Sequence, residues 1–232
     1  MTTPSTVFDP ARFSGCAPLF PLPNTVLFPQ MSLPLHLFEP RYRQMAEDAL
    51  RGERLIAMAL PLPDDELDLA GCPAIHEMTC LGEIAAEEKL PNGRYNIILR
   101  GLFRAVVIEE VPGDTPYRVG RLELYKDFYP RDALIDRDAR RHELLLGLHR
   151  LFQHTDVRSL VTTLMQSAIP LGILCDIMAA LLRTDAESKQ QILDEVDVDQ
   201  RSELMSMQLK RACLAAGVDA GVAASKAQFS LN

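Results

Sequence analysis

Between Pro18 and Tyr42 prolines cut the chain at nearly every corner: Pro18-Leu19-Phe20-Pro21-Leu22-Pro23-Asn24-Thr25-Val26-Leu27-Phe28-Pro29, then Leu33-Pro34-Leu35-His36-Leu37-Phe38-Glu39-Pro40-Arg41-Tyr42. Proline has no N–H to give a ladder, so the apolar pieces between are confined to short strands at edges and corners. That places Leu19-Phe20, Val26-Leu27-Phe28 and residues 33–37 in strands. Pro40 has a different part. At the first position of a helix its missing N–H costs nothing. Tyr42, Met45, Ala46, Ala49 and Leu50 follow at helical spacing, and Gly52 ends the run.

The β pattern continues beyond that helix. Leu55-Ile56-Ala57-Met58-Ala59-Leu60 reads as a buried strand. Residues 61–73 form an acidic loop; Asp64, Asp65, Glu66 and Asp68 lack the Gly and distal Glu of a calcium loop, so they read as a solvated segment. Strands resume at Met78. Leu90-Pro91-Asn92-Gly93-Arg94 is a hairpin turn, because Asn-Gly supplies positive φ. Tyr95, Ile97 and Leu99 alternate with polar Asn96 and Arg100, Gly101 breaks the run, and residues 103–108 resume it. After the turn Pro112-Gly113-Asp114-Thr115-Pro116, the apolar parity of Tyr117 and Val119 flips to that of Leu122 and Leu124, which predicts a bulge at Gly120. Short strands, frequent turns and a bulge favour a small closed barrel over a flat sheet.

Past Pro130 the period changes to helical. Leu144, Leu145, Leu148, Leu151 and Phe152 make one apolar face; Leu160, Val161, Leu164, Met165 and Ala168 a second; Leu174, Ile177, Met178, Leu181 and Leu182 a third. Thr184-Asp185-Ala186-Glu187 and Asp197-Val198-Asp199-Gln200 read as capping boxes for two more helices, the last ending at Gly217. The expected class is α+β: a flexible arm at 1–15, a β-barrel of about six strands with a short helix at 16–129, a helical bundle at 130–217, and a frayed tail at 218–232.

A formal net charge of −8 argues against a nucleic-acid partner, because phosphate binding needs a basic surface. The N-terminal residues lack the basic and apolar regions of an export signal, and five cysteines without a C-x-x-C pair read as reduced thiols, so the cytoplasm is expected. From Leu160 to Leu182 the only charge is Asp176, but Pro170 splits the segment and its apolar residues sort into two faces. Two buried helices are expected there rather than a membrane span.

The sequence resembles the Lon substrate-binding (N-terminal) domain family. Besides the proline-cut motifs, the resemblance is carried by Leu90-Pro91-Asn92-Gly93-Arg94-Tyr95 with Gly101-Leu102-Phe103-Arg104. It extends to Leu174-Cys175-Asp176-Ile177-Met178-Ala179, Lys189-Gln190-Gln191-Ile192-Leu193-Asp194-Glu195 and Asp199-Gln200-Arg201. It implies a PUA-like barrel followed by a helical bundle, and a part in capturing damaged or tagged polypeptides. No G-x-x-x-x-G-K-[ST] phosphate loop is present, Ser225-Lys226 has no nucleophile context, and the Cys pairs that hold zinc in cereblon-like relatives are absent. The expectation is a non-enzymatic polypeptide-binding module without ATPase or protease parts, an adaptor beside a Lon-type protease, with no cofactor and no metal. The alternatives are a small-molecule-binding PUA-like barrel, cereblon-like without zinc, and, ranked last, an RNA-binding one.

A polypeptide site needs exposed apolar surface with a polar rim. The candidates are Phe28, Met31, Phe38 and Phe103, with Arg41 and Arg43 at the rim. His36, between two leucines, reads as structural. Glu39 and Arg41 read as a local pair fixing the strand-to-helix turn. Glu87-Glu88 and Glu109-Glu110 point to opposite faces of strands and read as solvated edges. His76, His142, His149 and His154 are too scattered to hold a metal.

Overall fold

The computed structural model describes residues 8–63, 73–132 and 135–218. The acidic residues 64–68, Ser225-Lys226 and the tail from residue 219 lie outside the described residues. Six strands, β1 (Cys16–Pro21), β2 (Ser32–Leu37), β3 (Leu55–Ala59), β4 (Met78–Lys89), β5 (Tyr95–Glu110) and β6 (Val119–Tyr125), form one sheet with order β2-β5-β4-β3-β1-β6. Because β5 also pairs with β6, five of them close a ring of hydrogen bonds compatible with a small barrel. β2 lies outside the ring, antiparallel to the first part of β5.

Every strand of the ring sends side chains to the enclosed face: Ala17, Leu19, Leu55, Ala57, Leu81, Ala105 and Leu122 fill it. Helix α1 (Pro40–Arg51) buries Tyr42, Met45, Ala46 and Ala49 against the outer side, where Phe20 meets Tyr42 at 4.5 Å between ring centroids. Pro40 occupies its first turn and Gly52 ends it, as the spacing predicts.

The loop between β1 and β2 differs from expectation. Val26-Leu27-Phe28 is irregular rather than a strand. Its neighbours turn towards β5: Gln30, at φ 66°, donates from its backbone N to the Gly101 carbonyl (2.9 Å), and the Gly101 N donates to the Met31 carbonyl (2.8 Å). This loop therefore satisfies the edge of β5 between the stretches that pair with β2 and β6. Nor does Gly101 interrupt β5, which runs through it. A Cβ there would stand 2.2 Å from the Phe28 carbonyl oxygen, so only glycine admits the loop. The expected bulge at Gly120 sits on the partner strand instead, between Val107 and Glu109 of β5. Gly120 makes room for Leu19, whose Cδ2 would be 2.9 Å from an added Cβ.

Among the described residues five helices follow: α2 (Arg137–Phe152), α3 (Arg158–Gln166), α4 (Leu171–Leu181), α5 (Ala186–Asp194) and α6 (Val198–Ala215). α2 packs on α3 and α6, and α4 on α5 and α6. The second apolar face is narrower than its periodicity implies, since Leu160 and Ala168 are exposed. Pro170 separates α3 from α4, and no described helix is long and apolar enough to cross a membrane. Asp197 caps α6 as expected, but α5 is capped by Asp185 rather than Thr184, with its carboxylate accepting from the Ser188 N at 2.7 Å. Residues 8–13 do not hang loose: Phe8 packs on Phe13 and Phe103, with centroids 6.4 and 5.8 Å apart.

One apolar cluster runs from α1 across the outer side of the sheet into the helices, joining Met45, Ile56 and Cys80 to Leu174, Met178 and Leu209. A largely buried charge cluster links the sheet to the bundle. Arg104 of β5 donates to both Asp176 oxygens (2.6 and 3.0 Å) and to the Leu193 carbonyl (2.9 Å). Arg201 of α6 pairs with Asp127 (2.6 Å), at the exit from β6.

Candidate functional site

The outer end of the sheet carries a face that no described helix covers. In β2, β5 and β4 the register sets Pro34 beside Ile98 and Ile98 beside Ala86, giving one apolar row across three strands. The next row sets His36 beside Asn96 and Asn96 beside Glu88. On the other side of the apolar row, Arg100 is paired with Glu83 at 2.8 Å. A register shift between Ile84 and Ala86 brings Glu83 and Ala86 to the same face despite their odd spacing. The result is a shallow groove of about 400 Å³ lined by Pro34, His36, Ala86, Glu88, Asn96 and Ile98.

The polar row is directional. The Asn96 amide N donates to the Glu88 carboxylate (2.9 Å), which turns its amide oxygen towards His36 Nδ1 at 2.8 Å. That oxygen only accepts, so His36 Nδ1 carries the proton, and in the neutral ring Nε2 is left as an acceptor. Phe38, 58% exposed, lies next along the chain, its ring stacked with that of His36 at 6.3 Å between centroids. Ile98 is 42% exposed, a large aliphatic side chain open to solvent in mid-strand. On the opposite side α1 reaches the ends of β4 and β5 through Glu47, which accepts from Lys89 Nζ (2.8 Å) and the Tyr95 hydroxyl (3.0 Å). Those donors hold the Glu47 carboxyl below its ordinary range.

The structure scatters the residues named from sequence. Phe28 has no exposed surface and packs in the main core, so it is withdrawn as a contact residue. Met31 is half-buried against that core. Phe103 is half-buried under Phe8 and borders a second cleft between sheet and bundle, of about 220 Å³. Arg41 is exposed but donates to Glu39 at 2.9 Å and lies over the Tyr42 ring, which fits the reading as a local pair at the turn. Arg43 is half-buried and reaches the Asn92 carbonyl at 3.5 Å. Of the six, Phe38 alone adjoins the open groove. Pro34, Ala86, Asn96 and Ile98 were not named as site residues from sequence, and Glu88 was read there only as a solvated edge. The available signal was Ile98 itself, apolar where the alternation of Tyr95, Ile97 and Leu99 calls for a polar residue. Glu87 and Glu88 do point to opposite faces, but both have partners: Glu87 pairs with Arg54, and Glu88 with Asn96.

The groove lining includes no serine, cysteine or lysine to act as nucleophile beside His36. Among the described residues no group of three His, Cys, Asp or Glu side chains is placed to hold a metal ion. Burial pushes the thiol of Cys175 up to about 12 and that of Cys80 higher still, which makes them inert structural thiols.

Residues 17–211 match the ATP-dependent protease La (LON) substrate-binding domain. The chain is 26% identical over 213 residues to Lon protease of Anaeromyxobacter dehalogenans, covering 90% of this chain and 24% of that protein. It is 27% identical over 191 residues to Lon protease of Syntrophus aciditrophicus, covering 79% and 23%. The chain thus spans about a quarter of the length of these curated relatives. Among solved structures, the N-terminal domain of Mycobacterium avium complex Lon protease superposes with a TM-score of 0.67 at 17% identity, covering 84% of this chain and 98% of that one. A Lon N-terminal domain protein from Xanthomonas campestris gives 0.58 at 22% identity, covering 88% and 99%. The match falls on the substrate-binding part of these proteases and not on an ATPase or protease part. A closed ring of strands with a helical group packed on its outer side, matched over residues 17–211, makes this chain a member of the ATP-dependent protease La (Lon) substrate-binding domain family.

Proposed function

We propose that the protein is a non-enzymatic polypeptide-binding module, and that its contact surface is the open β2–β5–β4 face with Phe38 at its end. The observation that carries this is the apolar row Pro34–Ile98–Ala86, uncovered by any described element and flanked by polar side chains. That combination suits a segment of unfolded chain, which brings apolar side chains and unpaired backbone groups together. Family membership supports the same reading. A Lon-type protease is the natural partner for a captured chain, and the protein would serve it as an adaptor. A small-molecule site inside the barrel has less support, because seven buried apolar side chains fill the enclosed face.

The test is binding of a carboxymethylated, permanently unfolded model protein, followed by fluorescence anisotropy. Wild type is expected to bind, with Ile98→Ser and Phe38→Ser weakening binding several-fold and leaving the melting temperature unchanged. Wild type without affinity for the unfolded chain overturns the proposal. Equal binding by all three proteins places the contact surface elsewhere.

A further inference from the structure

The groove's two ends differ in charge. At one end Arg100 is answered by Glu83, so the pair is neutral. At the other end Glu88 accepts a hydrogen bond from Asn96 and makes no ion pair within 4 Å among the described residues. Lys89, its chain neighbour, points to the opposite face and is taken up by Glu47. Arg54 on that opposite face is likewise taken up by Glu87. The apolar row therefore lies between a compensated charge pair and a carboxylate without a close ion-pair partner among the described residues. Rows are two residues apart along a strand, a separation of about 7 Å.

We infer that this face selects extended segments in which a large apolar side chain is followed or preceded, two residues away, by lysine or arginine. This rests on the reading of the groove as a polypeptide site and specifies the chemistry of the segment. The apolar side chain lies over Ile98, Pro34 and Ala86, and removing that surface from water supplies most of the attraction. The basic residue, on the same side of an extended chain, reaches Glu88. An acidic residue at that position meets the like charge of Glu88, within a protein already at net charge −8. Discrimination comes as much from that repulsion as from the attraction. His36, with Nδ1 donating to Asn96, offers Nε2 to an N–H of the segment.

Three fluorescein-labelled peptides test this on the full chain: repeats of Leu-Ser-Lys, of Leu-Ser-Glu and of Ser-Ser-Lys. By anisotropy at low salt the Leu-Ser-Lys peptide is expected to bind tightest. Glu88→Gln weakens it about threefold, the scale of one exposed ion pair, without weakening the Leu-Ser-Glu peptide. Glu88→Lys inverts the order of those two peptides, and salt erases the difference between them in wild type. Glu88 is exposed, so an unchanged circular dichroism spectrum is expected for both variants. Equal binding of the two leucine peptides, or an order that Glu88→Lys leaves intact, overturns the inference and spares polypeptide binding. Failure of all three peptides while the carboxymethylated protein binds also overturns the inference alone. Failure of both sets removes the reading on which it rests.

Discussion

Arg104 and Asp176 form a two-pronged ion pair, 2.6 and 3.0 Å, buried between a strand of the ring and a helix of the bundle. Burial is the largest influence and alone would favour loss of the arginine's proton, but the Asp176 charge, its hydrogen bonds and the Asp127 charge together outweigh it and hold the guanidinium ionised. Taking away one partner strands the other charge away from water. Asp176→Asn is expected to cost about 3–5 kcal/mol in urea unfolding. Replacing both residues with apolar ones, Arg104→Met with Asp176→Leu, is expected to recover much of that loss. A double variant as unstable as the single would mean that the pair holds the junction by geometry rather than by charge compensation.

Phe28 and Phe38 separate folding from binding. Phe28→Ala removes a fully buried ring and is expected to cost about 3–5 kcal/mol, read as a lower urea midpoint. Phe38→Ala removes an exposed ring, so stability should move by less than about 0.5 kcal/mol. Affinity for unfolded protein is expected to move the other way round: lowered in the Phe38 variant, and unchanged in the Phe28 variant wherever that variant remains folded.

Gly101→Ala sets a Cβ against the Phe28 carbonyl, which cannot give way without breaking the paired backbone bonds to Gln30 and Met31. The expected loss exceeds about 2 kcal/mol, at the severe end of single substitutions. Faster amide exchange at Gln30 and Gly101 would locate the damage.

Asp185 supplies a pH dependence with a definite sign. The Ser188 backbone N and then its hydroxyl donate to the carboxylate and hold its pKa below the ordinary 3.8. A depressed acid stabilises the fold above its ordinary pKa and loses that contribution as pH falls through the lower, folded value. Asp185→Asn keeps an acceptor but has no charge to lose. Wild type should therefore melt higher near neutral pH, with the gap closing below 3.8. A gap that stays constant with pH would show that the charge adds nothing to the cap.

The thiols of Cys80 and Cys175 should react with a disulfide reagent only as fast as the protein unfolds, since both are buried and protonated. Labelling rates that track stability across the Asp176 and Gly101 variants would confirm it.

Where the sequence was readable, the reasons were local. Pro40 and Gly52 bracket α1, Asn92-Gly93 turns the β4–β5 hairpin, and Asp197 caps α6, each through its own neighbours. What escaped depends on residues far apart in the chain. Asp176 stood out as the lone charge between Leu160 and Leu182, yet its partner lies 72 residues away. Gly101 looked like a break because the loop that needs it comes from Phe28. The groove was missed for a related reason: the register, with its shift after Ile84, decides that Ala86, Ile98 and Pro34 share a row. Composition gives exposed aromatics no address, so Phe28 and Phe38 looked alike.

β5 takes part in the groove through Ile98 and in the bundle junction through Arg104, six residues and about 20 Å further along the same strand. A pull on a chain bound in the groove, as proposed above, would therefore be carried to the helices along a single covalent backbone. The ladder bonds to β4 lie across that line and share the load side by side, so they must yield together rather than unzip one at a time. Mechanically, the strand is a tie rod between the open face and the helical group behind it.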